Sequence, residues 1–305
     1  MTYAIFSDIH GNHPALIAAL ADAKARGADS FIFIGDYASR FPWGDDVVSA
    51  IRKLAPAHII RGNGEGYYSE LLCKSKADMT NEQYKPIYWS YNVLSAENLA
   101  YLLALPETAV ISHEGIDIYL AHSIDFFYHP AVIDLFHTMN FSDMMLAAPF
   151  THDEYLARGR KALLSCPDTL AGILALPKGV HLFGHNHLQF YIEYEGRLFI
   201  NPGSCGMAAD WDATAAYTLL TLKKGAWFVE ERRVSYDLDA AAQGFITSGY
   251  HSYAPVWSDV TQLQMYTGKE YFGWFVVHLN KTRETLGKTA SPQQVWDIAV
   301  KKLCS

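Results

Sequence analysis

Cysteine is scarce in this chain: Cys73, Cys166, Cys205 and Cys304 are the only four in 305 residues, and no two stand at CxxC spacing. Such scatter argues against a disulfide framework and fits reduced thiols in a cytoplasmic protein. Long apolar runs are missing as well. No stretch reaches the length of a membrane span. The chain enters a strand at once, without the basic and then apolar segments of a secretory leader. Basic residues are outnumbered, 24 Lys and Arg against 32 Asp and Glu, for a net charge of −8. An acidic surface repels phosphate backbones, so no long nucleic acid is expected as a partner. A local positive centre would still draw in a small phosphorylated substrate. Charged residues make up 18% of the chain and hydrophobic ones 50%, which excludes a disordered protein. The length suits one large domain with additions, or two modest ones, and no internal repeat or low-complexity linker divides it.

What is present is a series of short apolar runs, each stopped by a polar cluster. Tyr3 to Phe6 leads to Asp8-Ile9-His10, Phe31 to Ile34 leads to Gly35-Asp36, and His58-Ile59-Ile60 leads to Gly62-Asn63. Further on, Ile116 to Ala121 leads to His122, and Val180 to Phe183 leads to Gly184-His185-Asn186-His187. Runs of this kind predict buried strands, and in open α/β sheets sites form at the carboxyl ends of strands. A helix is expected after the first cluster. Asn12 or His13 would cap it, Pro14 would open it, Leu16, Ile17, Leu20 and Ala23 stand at helical spacing, and Gly27 would end it. A second helix is expected over Asp45 to Leu54. Thr108 to Ser112 and Ile116 to Ala121 flank His113-Glu114-Gly115 as a hairpin. Strands are expected again at 181–183, 189–194, 197–200 and 217–222, with Gly196 supplying a turn.

Two stretches are expected to be helical insertions rich in aromatics, near 66–105 and 123–177. The first, with Tyr67, Tyr68, Tyr84, Tyr88, Trp89 and Tyr91, suits a partial lid. The expected catalytic domain is 1–235. Residues 236–305, ending in a helix from Ser291-Pro292, carry no chemical signature and are expected to be a structural extension or an oligomer contact.

An Asp-x-His or a Gly-Asp alone would say little. Together, and all at strand ends, the clusters offer the ligands of a two-metal hydrolytic centre. Two divalent ions about 3.5–4 Å apart clamp phosphoryl oxygens and activate water, and such a pair needs a bridging carboxylate, for which Asp36 is best placed. Imidazole, carboxylate and amide together favour Mn, Fe, Zn, Co or Ni over calcium. Asn63 would limit the negative charge facing an anionic substrate.

The series Asp8-x-His10, Gly35-Asp36, Gly62-Asn63, His122 and Gly184-His185-Asn186-His187 resembles the calcineurin-like metallophosphoesterase superfamily, over about residues 1 to 235. Asn201-Pro202-Gly203-Ser204 resembles a turn of its small bacterial and archaeal phosphodiesterase branch. The resemblance implies an α/β fold, a four-layer α/β/β/α sandwich of two mixed sheets with helical caps. It implies one metal on Asp8, His10, Asp36 and His187, and another on Asp36, Asn63, His122 and His185. A hydroxide bridging the pair would attack phosphorus, with Asp36, Asn63 and His122 the residues nearest the chemistry. The activity implied is hydrolysis of a small phosphodiester, nucleotide or dinucleoside polyphosphate.

One position departs from the pattern. Most of the family places histidine after the Asn, where it contacts phosphate or protonates the leaving group; this chain has Gly64. General acid help is typically worth about 10²–10⁴-fold, so good leaving groups are expected. Asn12, His13 and Arg61 are the candidates for binding substrate, with Arg40 a further possible phosphate contact. His129, His137 and His152 lie in the second insertion. Two other readings stand beside the enzyme of small substrates: a protein-binding scaffold that keeps the fold with a weakened site, and a serine/threonine phosphoprotein phosphatase. A homo-oligomer is compatible with all three.

Overall fold

The apolar runs form strands whose alternate residues enter two different cores. In the computed structural model of the chain, the described residues are 1–125, 151, 153–154, 157, 160–161, 165–223, 226–287 and 289–303. One five-stranded sheet has the order β10-β9-β1-β2-β3, from β1 (Thr2–Phe6), β2 (Ser30–Phe33), β3 (Ala57–Ile59), β9 (Ala215–Lys223) and β10 (Ala226–Val234). Its β1, β2 and β3 run parallel, while β9 and β10 are antiparallel additions. The second has the order β4-β5-β6-β8-β7, from β4 (Thr108–His113), β5 (Ile116–Ala121), β6 (Gly179–Leu182), β7 (Gln189–Tyr194) and β8 (Arg197–Pro202).

Side chains alternate across a strand, and β1 shows the consequence. Tyr3 and Ile5 join Ile32, Ile118, Leu120, Leu182 and Ile200 in the core between the sheets. Ala4 and Phe6 face outward against Leu16 and Leu20 of α1 (His13–Ala25) and Val47, Val48 and Ile51 of α2 (Gly44–Arg52). The second sheet's outer face, through Phe190, Ile192 and Phe199, packs on Ile173. That residue belongs to a helix at Pro167–Ala175, here α6. These are the four layers α/β/β/α. The first insertion holds α3 (Asn63–Leu71), α4 (Lys85–Val93) and α5 (Ala96–Ala104). Most of the second, with His129, His137 and His152, lies outside the described residues.

Local chemistry set the boundaries where it was read. Asn12 caps α1, its side chain accepting from Ala15 N, and Pro14 occupies the first turn. The hairpin loops Glu114-Gly115 and Glu195-Gly196 all have positive φ, as a two-residue turn matched to strand twist requires.

The C-terminal segment forms α7 (Leu238–Thr247), α8 (Tyr250–Tyr253), α9 (Pro255–Thr267), α10 (Tyr271–Leu286) and α11 (Pro292–Leu303). Trp257, Phe275 and Trp296 make its centre, and the same cluster takes in Phe41 and Met207 from the loops after β2 and β8. These helices are therefore packed on the strand-end loops of the sandwich. No helix of the described residues is long and apolar enough to cross a membrane.

Candidate metal centre

The five clusters meet because the parallel strands of both sheets end at one edge. Backbone bonds lace their loops together: Asp8 N to Gly35 O, His10 N to Asp36 O, Gly184 N to His122 O and Gly206 N to Asp8 O, all at 2.9–3.1 Å. The Asn201–Ser204 turn braces them. Asn201 Nδ2 donates to Gly184 O at 2.9 Å and to Asn186 Oδ1 at 2.7 Å, and Ser204 Oγ donates to Asp8 O at 2.7 Å. Asp8, His10, Asp36, His185 and His187 all have φ between 51° and 69°. Non-glycine residues in that region are uncommon and gather at functional sites.

Two groups of donors result. Asp8, His10 and His187 form one, and Asp36, His122 and His185 the other; within each group the candidate ligand atoms lie within 4.8 Å of one another. Asp36 faces both. Its Oδ2 is 3.9 Å from His10 Nε2, and its Oδ1 is 3.6 Å from His122 Nε2. Asn63 Oδ1 lies 3.0 Å from His122 Nε2. All seven predicted ligands are thus brought together.

The donor set fits divalent ions. Asp8 Oδ1 and His10 Nδ1 are buried and make no hydrogen bond. A buried carboxylate oxygen without a donor is costly, and a cation removes that cost. His10 Nε2 and His187 Nε2 are 3.0 Å apart. Two nitrogens each about 2.1 Å from one metal, at 90–109°, are separated by roughly 3.0–3.4 Å. His122 Nδ1 donates to Ile34 O at 2.6 Å and His187 Nδ1 to Met207 O at 2.8 Å, which leaves each Nε2 turned to the site. Metal-ligating histidines are oriented in this way.

The charges point the same way. Burial, with the Arg40 and His187 charges, pushes His10 well below the usual imidazole range. Burial and His122 push His185 down to about 4. Both are neutral near pH 7, the form that ligates. Burial alone would raise Asp8, but His187, His122 and His10 outweigh it and hold its carboxyl well below the usual range.

Glu65 is a site residue that the motifs did not flag. It is fully buried. Its carboxylate accepts from Asp36 N at 2.9 Å, Tyr37 N at 2.9 Å and Gly62 N at 2.8 Å. One side chain thereby fixes both the Asp36 and Asn63 loops. Burial and the neighbouring Asp36 push Glu65 up to about 7, against the pull of those three donors. A glutamate at the third position of a helix after a glycine cap was the available signal. Gly64 has its own steric reason. Its N–H donates to Asp36 Oδ1 at 2.7 Å, and a Cβ there would stand 2.9 Å from the same oxygen.

The centre opens into a cavity of about 410 Å³ lined by His10, Asp36, Asn63 and Gly64 on one side. Arg40, Tyr67 and Tyr84 contribute to its wall, as do Phe272, Val276, Asn280 and Arg283 of α10. Arg40 is held with its guanidinium 4.3 Å over the Phe272 ring. The α10 residues were not expected here, since helical spacing reveals a buried face but not what it packs against. A larger hollow of about 750 Å³, by Asp117, Lys178 and Trp227, contains none of the ligands.

The three substrate-binding candidates do not line the cavity. Asn12 is fully buried, its Oδ1 on Ala15 N and its Nδ2 on Gly206 O and Tyr236 Oη, so it is spent on capping and loop bracing. Arg61 turns away to the exposed Glu107. His13 is half-buried near Asp46 in the first turn of α1. Arg40, by contrast, lines the cavity.

A double layer of mixed sheets with metal-ligand loops at one edge defines a class of hydrolase. The family model of the calcineurin-like phosphoesterase superfamily domain matches residues 1–225. The chain belongs to that superfamily. It is 26% identical over 255 residues to the uncharacterized protein MJ0912 of Methanocaldococcus jannaschii, covering 80% of this chain and 91% of that one. Its fold is similar to a metallophosphoesterase from Sphaerobacter thermophilus, with a TM-score of 0.61 and 21% identity, over 88% of this chain and 100% of the other. It is also similar to the hypothetical protein PH1004 from Pyrococcus horikoshii OT3, with a TM-score of 0.57 and 17% identity, over 88% and 99% of the two chains.

Proposed function

We propose that the chain is a dinuclear metal-dependent phosphoesterase acting on a small phosphodiester, nucleotide or related phosphate ester. The observation that carries this reading is Asp36, with one carboxylate oxygen turned to each group of ligands at the floor of a cavity that also presents Arg40. Asp8, His10, Asp36 and His187 would hold one ion, and Asp36, Asn63, His122 and His185 the other. When bound, such a pair supplies Lewis acidity toward phosphoryl oxygens and lowers the pKa of water.

The chain's own residues do the rest. Glu65 and the Gly64 N–H hold Asp36 in place. Arg40, kept over Phe272, offers its guanidinium to the phosphoryl oxygens that do not leave. The helical walls exclude water and orient the ester, and they narrow access for a folded phosphoprotein. A scaffold has no physical need for seven converging ligands.

No side chain at position 64 can protonate the leaving group, so the rate should depend steeply on how well that group bears charge. With manganese, aryl esters such as bis(p-nitrophenyl) phosphate should outrun the matching alkyl esters by more than the intrinsic difference, up to about 10²–10⁴-fold, the usual worth of an acid. The test is a manganese-loaded screen over aryl and alkyl diesters, monoesters, dinucleoside polyphosphates and a phosphopeptide, repeated with chelator. Hydrolysis of small esters that chelator abolishes supports the reading. A loaded protein that leaves every one of them intact would end it.

A further inference from the structure

We infer that the last turns of α10 carry a second anion site, Arg283, for a phosphate of the substrate distant from the scissile one. This rests on the phosphoesterase reading and names the substrate class it would take. Phe272, Val276, Asn280 and Arg283 follow one another at spacings of four, four and three, so one face of α10 runs along the cavity. The helix begins at the metal end. Glu270, its cap, lies 3.9 Å from His187 Nδ1, and Phe272 carries Arg40. Arg283 stands eleven residues beyond Phe272, roughly 16 Å along the axis at 1.5 Å per residue.

Arg283 is half-buried, and Gln83 Oε1 accepts from its Nη2 at 2.6 Å. Among the described residues no carboxylate lies within salt-bridge distance of Arg283 or of Arg40. Arg52 and Arg61, which precede the first insertion, do have acidic partners. A guanidinium held by a neutral amide in a cavity wall is arranged for an incoming anion. The same wall offers Ile87, Val276 and Tyr84, which suit an apolar or aromatic body. The substrate class is therefore an elongate ester: one phosphate at the metals, an apolar or aromatic body, and a second phosphate at Arg283. A cavity of about 410 Å³ accommodates a ligand of that size.

The test uses the manganese-loaded full chain and bis(p-nitrophenyl) phosphate as reporter substrate. Alkane-α,ω-bisphosphonates and alkylphosphonates of equal length are compared as competitive inhibitors, from propane upward. In the wild type the two series should match at propane. The bisphosphonates should then gain about tenfold to a hundredfold once the chain spans the wall, the worth of a charged hydrogen bond. In Arg283→Gln, which removes the charge, the ratio of inhibition constants should return to about one at every length, and Arg283→Lys should keep part of it. The ratio is internal to one preparation, so a loss of folded protein does not imitate the result. A ratio that stays flat with length in the wild type, or survives in Arg283→Gln, overturns the second site while leaving the phosphoesterase reading intact. A wild type that hydrolyses no ester and binds no phosphonate overturns both.

Discussion

Asp36→Asn should lower kcat/KM for aryl phosphate esters by at least about 10²–10³-fold, the scale of losing one preorganised charge-stabilising group. It should also reduce bound metal below two ions per chain. The substitution conserves volume, and Oδ1 can still accept from the Gly64 N–H. What it removes is the anionic oxygen that faces His10 while its twin faces His122. An amide nitrogen there presents hydrogens to a cation. Metal content by plasma mass spectrometry and steady-state kinetics on the same sample check both halves. A variant that retains two ions and wild-type rates would show that Asp36 does not join the groups.

Glu65→Gln is the second large effect, and it is informative because Glu65 is not one of the ligands. The carboxylate takes three backbone donors, two on Oε2 and one on Oε1. An amide cannot accept them all, since its NH₂ must face at least one of those N–H groups. Each buried donor left unpaired costs about 1–3 kcal/mol. The loops it fixes carry Asp36 and Asn63, and loss of such a supporting partner typically lowers metal affinity about 10–100-fold. A lower Tm in the metal-free protein together with weaker manganese binding by calorimetry is the expected pair of results. Unchanged affinity would mean that the loops hold their shape without Glu65.

Much of the centre was legible because each ligand cluster terminates a buried strand. A run such as Phe31 to Ile34, short and rich in aromatic and β-branched residues, reads as a buried strand, and Gly35-Asp36 follows its end. The Asn12 cap, the Glu114-Gly115 turn and the Gly196 turn were legible for the same local reason. Strand β10 was not anticipated, being a half-exposed edge strand whose residues give weak alternation. The three substrate candidates do not line the cavity. Asn12, His13 and Arg61 are close to the motifs along the chain, but nearness in sequence does not place a side chain on the cavity. Asn12 was absorbed by its own helix and by Tyr236. Phe272 and Arg283 stand 85 and 96 residues beyond the last ligand, His187, and only the packing of Trp257, Phe275 and Trp296 beside Phe41 and Met207 brings them there.

The central claim is that two groups of ligands share Asp36 around two ions. The most direct measurement is anomalous scattering at the manganese edge from crystals of the full chain grown with manganese. Two peaks about 3.5–4 Å apart are predicted, one among Asp8, His10 and His187, the other among Asn63, His122 and His185, with Asp36 between them. A single peak, or none at saturating metal, would contradict it.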